Sequence, residues 1–121
     1  METGPLVWII DAQQWPRAYL RAELVERGFN AVGHPDLSEA VAVLRSRSVS
    51  WPAVIVLELR DQATERELLD VLMRTRIPVV LLVGAVEANE QLIKEYTWAA
   101  VMNRPFSIGS VADKVEELIS H

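Results

Sequence analysis

Residues 51–62 read WPAVIVLELRDQ. Pro52 opens the run, Val54, Ile55, Val56 and Leu57 fill it without a polar break, and Glu58 arrives where the apolar stretch stops. Continuous Val/Ile/Leu without alternation predicts a strand covered on both faces, as in a parallel sheet with helices on each side. The acid at its end then belongs to a site at the strand terminus or must be paired, because an isolated charge away from water costs several kcal/mol.

Four further apolar runs flank this one: LVWII at 6–10, FNAVG at 29–33, PVVLLV at 78–83 and AAVM at 99–102. Helical patterns separate them. The first spans Trp15 to Arg27, with Ala18, Ala22 and Val25 and also Leu20 and Leu24 at helical spacing, and stops at Gly28, a natural helix C-terminus. The second opens with Asp36 and Glu39 in capping-box spacing and runs through Ala40, Val41 and Leu44. The third covers Gln62 to Thr75 with Leu68, Leu69, Leu72 and Met73 inward, and the fourth Glu87 to Tyr96 with Leu92, Ile93 and Tyr96 inward. The last starts at Ser107, a good N-cap, and places Ile108, Val111, Ala112, Val115, Leu118 and Ile119 at helical spacing.

Strands alternating with helices imply βαβ units. The expected class is α/β, a doubly wound five-stranded parallel sheet of flavodoxin-like type with strand order 2-1-3-4-5. Ligands in such sheets sit beyond the carboxyl ends of the strands near the switch point, where Asp11 and Glu58 both fall. The turns DAQQW, HPDL, LRDQAT and GAVEAN contain no phosphate-cradling glycine loop, which disfavours a nucleotide site and the alternative of a small ligand-binding flavodoxin-like domain.

Composition narrows the function classes. A chain of 121 residues suits one domain, 1–121, with one core. A net charge of -5 with lysines and arginines scattered along the chain argues against direct nucleic-acid binding. No apolar run approaches the roughly 20 residues that span a bilayer, and the start METGPLVWIID lacks the basic segment of a signal peptide, so no membrane role is expected. The absence of cysteine excludes disulfides and thiolate chemistry and accords with a cytoplasmic setting.

With IIDAQQWPRAYL after the first strand, PAVIVLELR for the third, IPVVLLVGA for the fourth and NRPF after the fifth, nearly the whole chain resembles the receiver domain of two-component response regulators. The resemblance implies a module that takes a phosphoryl group from a histidine kinase onto an Asp ending strand 3, with Mg²⁺ held by an acidic pair after strand 1. It further implies a Thr or Ser ending strand 4, an aromatic in strand 5, and a Lys before a cis-linked Pro-Phe. At the matching positions this chain has Glu58 for the phosphoacceptor, Asp11 and Ala12 for the acidic pair, Val83 for the hydroxyl, Val101 for the aromatic and Arg104 for the lysine. Asp11, Pro105 and Phe106 alone are unchanged.

These departures share one direction. Mg²⁺ wants hard oxygen ligands, and the methyl of Ala12 removes both a ligand and a charge, so weak or absent Mg²⁺ binding, no other cofactor and no metal site are expected. The extra methylene of Glu58 displaces a nucleophile by about 1 Å or more, enough to cost ~10²-fold in rate. Arg104 offers a planar donor fork suited to the Glu58 carboxylate. The expectation is a non-catalytic pseudo-receiver, a protein-interaction module in bacterial signal transduction whose partner is an output domain or a second copy. Its interaction face would centre on Tyr96, Trp98 and Val101. Two readings of Glu58 stay open: a permanent substitute for the phosphorylated state, or a relic pair retained because losing one partner exposes the other charge. The rival function is phosphotransfer through Glu58 or a displaced acceptor at Asp61, a residue that also suits the cap of the third helix. His34, with no Cys or His near it in sequence, reads as surface, Trp8 as core, and Trp15, Trp51 and Trp98 as half-exposed element ends.

Overall fold

The computed structural model describes residues 4–59, 66–84, 91 and 93–120. In chain order it contains β1 (Leu6–Ile10), α1 (Gln14–Glu26), β2 (Asn30–His34), α2 (Leu37–Ser46), β3 (Val54–Glu58), α3 (Arg66–Arg74), β4 (Val79–Val83), β5 (Ala100–Asn103) and α4 (Ile108–Ile119). Residues 91 and 93–95 are also helical. All strand pairs are parallel and the order is β2-β1-β3-β4-β5, so the sheet has the expected topology. Asp61, Leu92 and His121 lie outside the described residues, as do Gln62 and Glu87, the expected starts of the third and fourth helices.

Alternation along each central strand divides the core into two layers. Trp8, Ile10, Ile55, Leu57 and Leu81 face Val41 and Leu44 of α2 and Leu69 and Leu72 of α3. Val7, Ile9, Val54, Val56, Val80 and Leu82 face Leu20 and Leu24 of α1 and Val111, Ala112 and Val115 of α4. Each strand residue thus buries its side chain against one helix layer or the other, which is why β3 and β4 show no polar break. In register, Glu58 stands beside Leu82, one step past the Leu57–Leu81 pair, so the chain delivers a carboxylate to the carboxyl edge of the sheet.

Local chemistry sets the helix ends. Gly28, at φ +95°, turns the chain out of α1, a conformation that L side chains rarely adopt. Ser107 and Ser110 close a reciprocal capping box at the start of α4. At α2 the expected box is only half formed. Asp36 accepts the Glu39 N–H at 2.7 Å, but the Glu39 side chain lies 3.3 Å from His34 Nδ1.

Two expectations about burial are corrected. On α1 only Leu20 and Leu24 are buried; Ala18, Ala22 and Val25 face solvent. With Trp15 (65% exposed) and Tyr19 (58%), which stack at 6.1 Å, they form a second apolar stripe on the outer side of the helix. His34 is buried rather than superficial. It ends β2 on the α2 side of the sheet and meets the Trp8 ring edge-on at 4.4 Å, and the Glu39 carboxylate supplies a polar partner. Trp8 is core, while Trp15, Trp51 and Trp98 are exposed or half-buried at element ends, as expected.

Candidate functional site

Beyond the ends of β1, β3 and β5 three charged side chains converge. Glu58 is 2% exposed, and its Oε2 accepts a hydrogen bond from Arg104 Nη2 at 2.7 Å. Arg104 follows β5 in a turn with a cis Arg104–Pro105 peptide, and its guanidinium lies 5.1 Å from the centre of the Phe106 ring. Asp11, also buried, uses Oδ1 to accept the Gln13 N–H at 2.9 Å. Burial pushes its carboxyl above the usual value; the Gln13 bond and the charges of Arg104 and Arg17 offset this only in part.

Arg17 was not anticipated from the sequence. Its Nη1 donates to the Asp11 carbonyl at 2.6 Å, and its stem crosses Gly33, where an added Cβ would lie 2.9 Å from Arg17 Cδ. A second backbone cap stands next to it, with Arg21 Nε donating to the Ala31 carbonyl at 2.9 Å. The signal was present in sequence as arginines at 17 and 21, one helical turn apart, but their acceptors are known only once β1 and β2 are paired. Among the described residues the edge therefore carries two carboxylates, Asp11 and Glu58, and two guanidiniums, Arg17 and Arg104.

Asp11, Glu58 and Arg104 line one small cavity of about 50 Å³, whose other walls are apolar: Pro16 and Leu20 of the α1 layer, Leu82 of β4, and Phe106. Of the remaining predicted site residues, Ala12 is exposed in the loop that follows β1. Val83 is buried among the side chains of the α2–α3 layer, and the β4 residue that lines the cavity is its neighbour Leu82. Among the described residues there is no group of three or more His, Cys, Asp or Glu side chains placed to hold a metal ion.

The predicted interaction face is assembled from neighbouring parts. The Tyr96 and Trp98 rings meet edge-on at 6.0 Å, and Tyr96 Oη donates to Asp70 Oδ1 of α3 at 2.9 Å. Burial, followed by the Asp70 carboxylate, raises the Tyr96 phenol above its ordinary value. Arg66 pairs with Glu95 alongside. Tyr96 and Trp98 border a groove of about 590 Å³ with Met73, Arg76, Ile77 and Pro78, while Val101 packs half-buried in β5. No described helix is long and apolar enough to cross a membrane.

No protein-family model matches the chain, and no curated protein does. Solved structures do. A response regulator receiver protein from Pseudomonas putida aligns with a TM-score of 0.79 at 20% identity, covering 97% of this chain and 99% of that one. The receiver domain of the Francisella response regulator 1452 gives 0.78 at 20% identity, with 97% and 98% covered. A protein described as a transiently phosphorylated "switch" in bacterial signal transduction gives 0.77 at 24% identity, with 97% and 95% covered. The likeness runs over essentially the whole chain and is a likeness of fold: the chain has the architecture of receiver domains.

Proposed function

We propose that this chain is a receiver-like module of two-component signalling that works by docking a protein partner and carries no phosphoryl group. The observation that supports this most directly is the Glu58–Arg104 pair, in which the carboxylate that would be the nucleophile is buried and hydrogen-bonded to a guanidinium at 2.7 Å. Phosphoryl transfer relies on a positioned nucleophile and on charge stabilisation by metal. Both are compromised here by the same residues.

Mg²⁺ fits this edge poorly. Among the described residues its octahedral oxygen shell finds no side-chain carboxylates here but Asp11 and Glu58, beside a methyl at Ala12 and two guanidiniums, and like charges close together repel. Arg104 already pairs with Glu58, and the charges of Arg104 and Arg17 partly offset the burial of Asp11. Val83 offers no hydroxyl, and Val101 no aromatic ring, to relay a change toward the face formed by Tyr96, Trp98 and Val101. That face is then constitutive, and its occupant is an output domain or a second copy of the chain.

The test is intact-mass and NMR titration with acetyl phosphate or beryllofluoride and Mg²⁺. The expected result is no phosphoryl adduct and no saturable shift around Glu58. An adduct on Glu58 or on Asp61 would replace this reading with a working phosphotransfer domain. The docking half is tested separately: Trp98→Ala should abolish self-association or partner binding, and unchanged association would move the interface elsewhere.

A further inference from the structure

The opposite edge of the sheet holds a second constellation. There α2 and α3 end side by side, and Arg45, Arg47, Arg74 and the half-exposed Trp51 border a concavity of about 250 Å³ floored by Leu44 and Val71. Arg45 and Arg47 are two residues apart in sequence, and Arg74 joins them only in the fold. Arg17, Arg21, Arg27, Arg66 and Arg104 all bond to protein acceptors. Arg45, Arg47 and Arg74 make no ion pair and no side-chain hydrogen bond among the described residues, and no acidic residue lines the concavity. Arg76, beside the Tyr96–Trp98 groove, is uncommitted as well, so in a chain of net charge -5 three of the four uncommitted guanidiniums among the described residues are gathered at one place.

Helix dipoles account for part of this. Arg45 and Arg74 stand in the last turns of α2 and α3, where a cation faces free carbonyls. They do not account for Arg47, which lies past the end of α2 at φ +54°, a position that favours glycine. Nor do they account for Trp51, 45% exposed beside the three cations. Guanidinium forks match carboxylates two bonds at a time, and Trp and Arg together are the residue types that anchor protein interfaces. The volume is below the roughly 300–1,000 Å³ of clefts that enclose a small ligand whole. It suits a few side chains presented by a larger body.

We propose that this cleft docks an acidic segment of a protein partner, with carboxylates on Arg45, Arg47 and Arg74 and an apolar side chain against Trp51. The proposal does not depend on the chemistry at Glu58, which lies at the other edge of the sheet.

The probe is a short fluorescein-labelled, glutamate-rich peptide with one central leucine, followed by anisotropy against the whole chain at low and at physiological salt. Saturable binding that weakens with salt is expected, and a lysine-rich counterpart should not bind. Arg45→Ala with Arg74→Ala should weaken binding roughly tenfold or more, with Trp51→Ala acting in the same direction. Lys114→Ala, a surface cation on α4, should leave it unchanged. Arg47→Gly keeps the backbone at ease, so it should stay folded by circular dichroism and still lose affinity; a purely helix-capping role would leave affinity intact. The proposal is overturned if the wild type shows no saturable binding, if the arginine variants bind as tightly as it does, or if inorganic phosphate or a mononucleotide binds more tightly than the peptide. The last result would make the cleft a site for small anions.

Discussion

Arg104 Nη2 and Glu58 Oε2 stand 2.7 Å apart, joining the end of β3 to the turn after β5 through a carboxylate with almost no solvent contact. Removing the cation should therefore cost more than neutralising the acid. Arg104→Met is expected to destabilise the fold by about 2 kcal/mol, below the ~3–5 kcal/mol typical of fully buried pairs because Arg104 itself is one-third exposed. Glu58→Gln should cost less, and Glu58→Leu combined with Arg104→Met should recover much of the loss. Urea unfolding of the three variants checks this, and a double variant as unstable as Arg104→Met alone would contradict it.

Asp11 gives the domain a signed pH dependence. Burial raises its folded-state value above 3.8, so the folded chain holds the Asp11 proton more tightly than the unfolded chain does. The contribution to stability is fully present below the unfolded value and is lost as pH rises through the folded value. Asp11→Asn keeps an acceptor for the Gln13 N–H and removes the buried charge. It should be more stable than wild type at neutral pH, with the gap closing as the solution is acidified below the usual Asp range. A gap independent of pH would show that Arg17 and Arg104 offset the burial completely.

Gly33 and Arg17 should behave as one unit. A Cβ at 33 would press on the Arg17 stem at 2.9 Å, but that stem is flexible, so Gly33→Ala should cost about 1 kcal/mol or less by displacing Arg17 from the Asp11 carbonyl. Once Arg17 is alanine the obstacle is gone. The Gly33→Ala and Arg17→Ala effects should then be clearly non-additive in a double-mutant cycle, and simple additivity would separate the two residues.

Restoring the acid pocket should restore metal binding. Ala12→Asp together with Glu58→Asp supplies a third carboxylate position and shortens the side chain that now reaches Arg104. A ligand that binds only the folded state raises its stability, so the double variant should melt about 5 °C higher at a Mg²⁺ concentration ~10-fold above its dissociation constant, while the wild type stays unmoved. A wild type that responds as strongly would refute the reading of the native edge as closed to Mg²⁺.

The sheet was legible because its central strands are buried on both faces, and such strands announce themselves as unbroken runs: Val54–Leu57 and Val79–Val83 need no partner to be recognised. Glu58 and Arg104 were legible as a pair through the resemblance to receiver domains, which implies a contact between a strand-3 end and a cation before the Pro105 turn. Helix faces were harder. On α1 both Leu20/Leu24 and Trp15/Ala18/Tyr19/Ala22/Val25 repeat at helical spacing, and periodicity alone cannot say which stripe meets the sheet. The leucines won that place, and the aromatics were left in water. His34 was misread because its burial depends on Trp8 and Glu39, neither of them its neighbour in sequence. Leu82 borders the cavity and Val83 does not, because one step along a strand exchanges the two faces of the sheet.

One helix layer consists of α1 and α4, the first and last helices described, clasped by Arg27, which bonds Glu23 on its own helix and Asp113 on its partner and lies within ion-pair distance of Glu116. During synthesis the two are made far apart in time. Until α4 has left the ribosome, Val56, Val80 and Leu82 lack the cover of Val111, Ala112 and Val115, so the part of that side not covered by α1 stays greasy and open. The α1–α4 side of the core is completed only when the last helix arrives, and the apolar surface left bare until then is what chaperones hold.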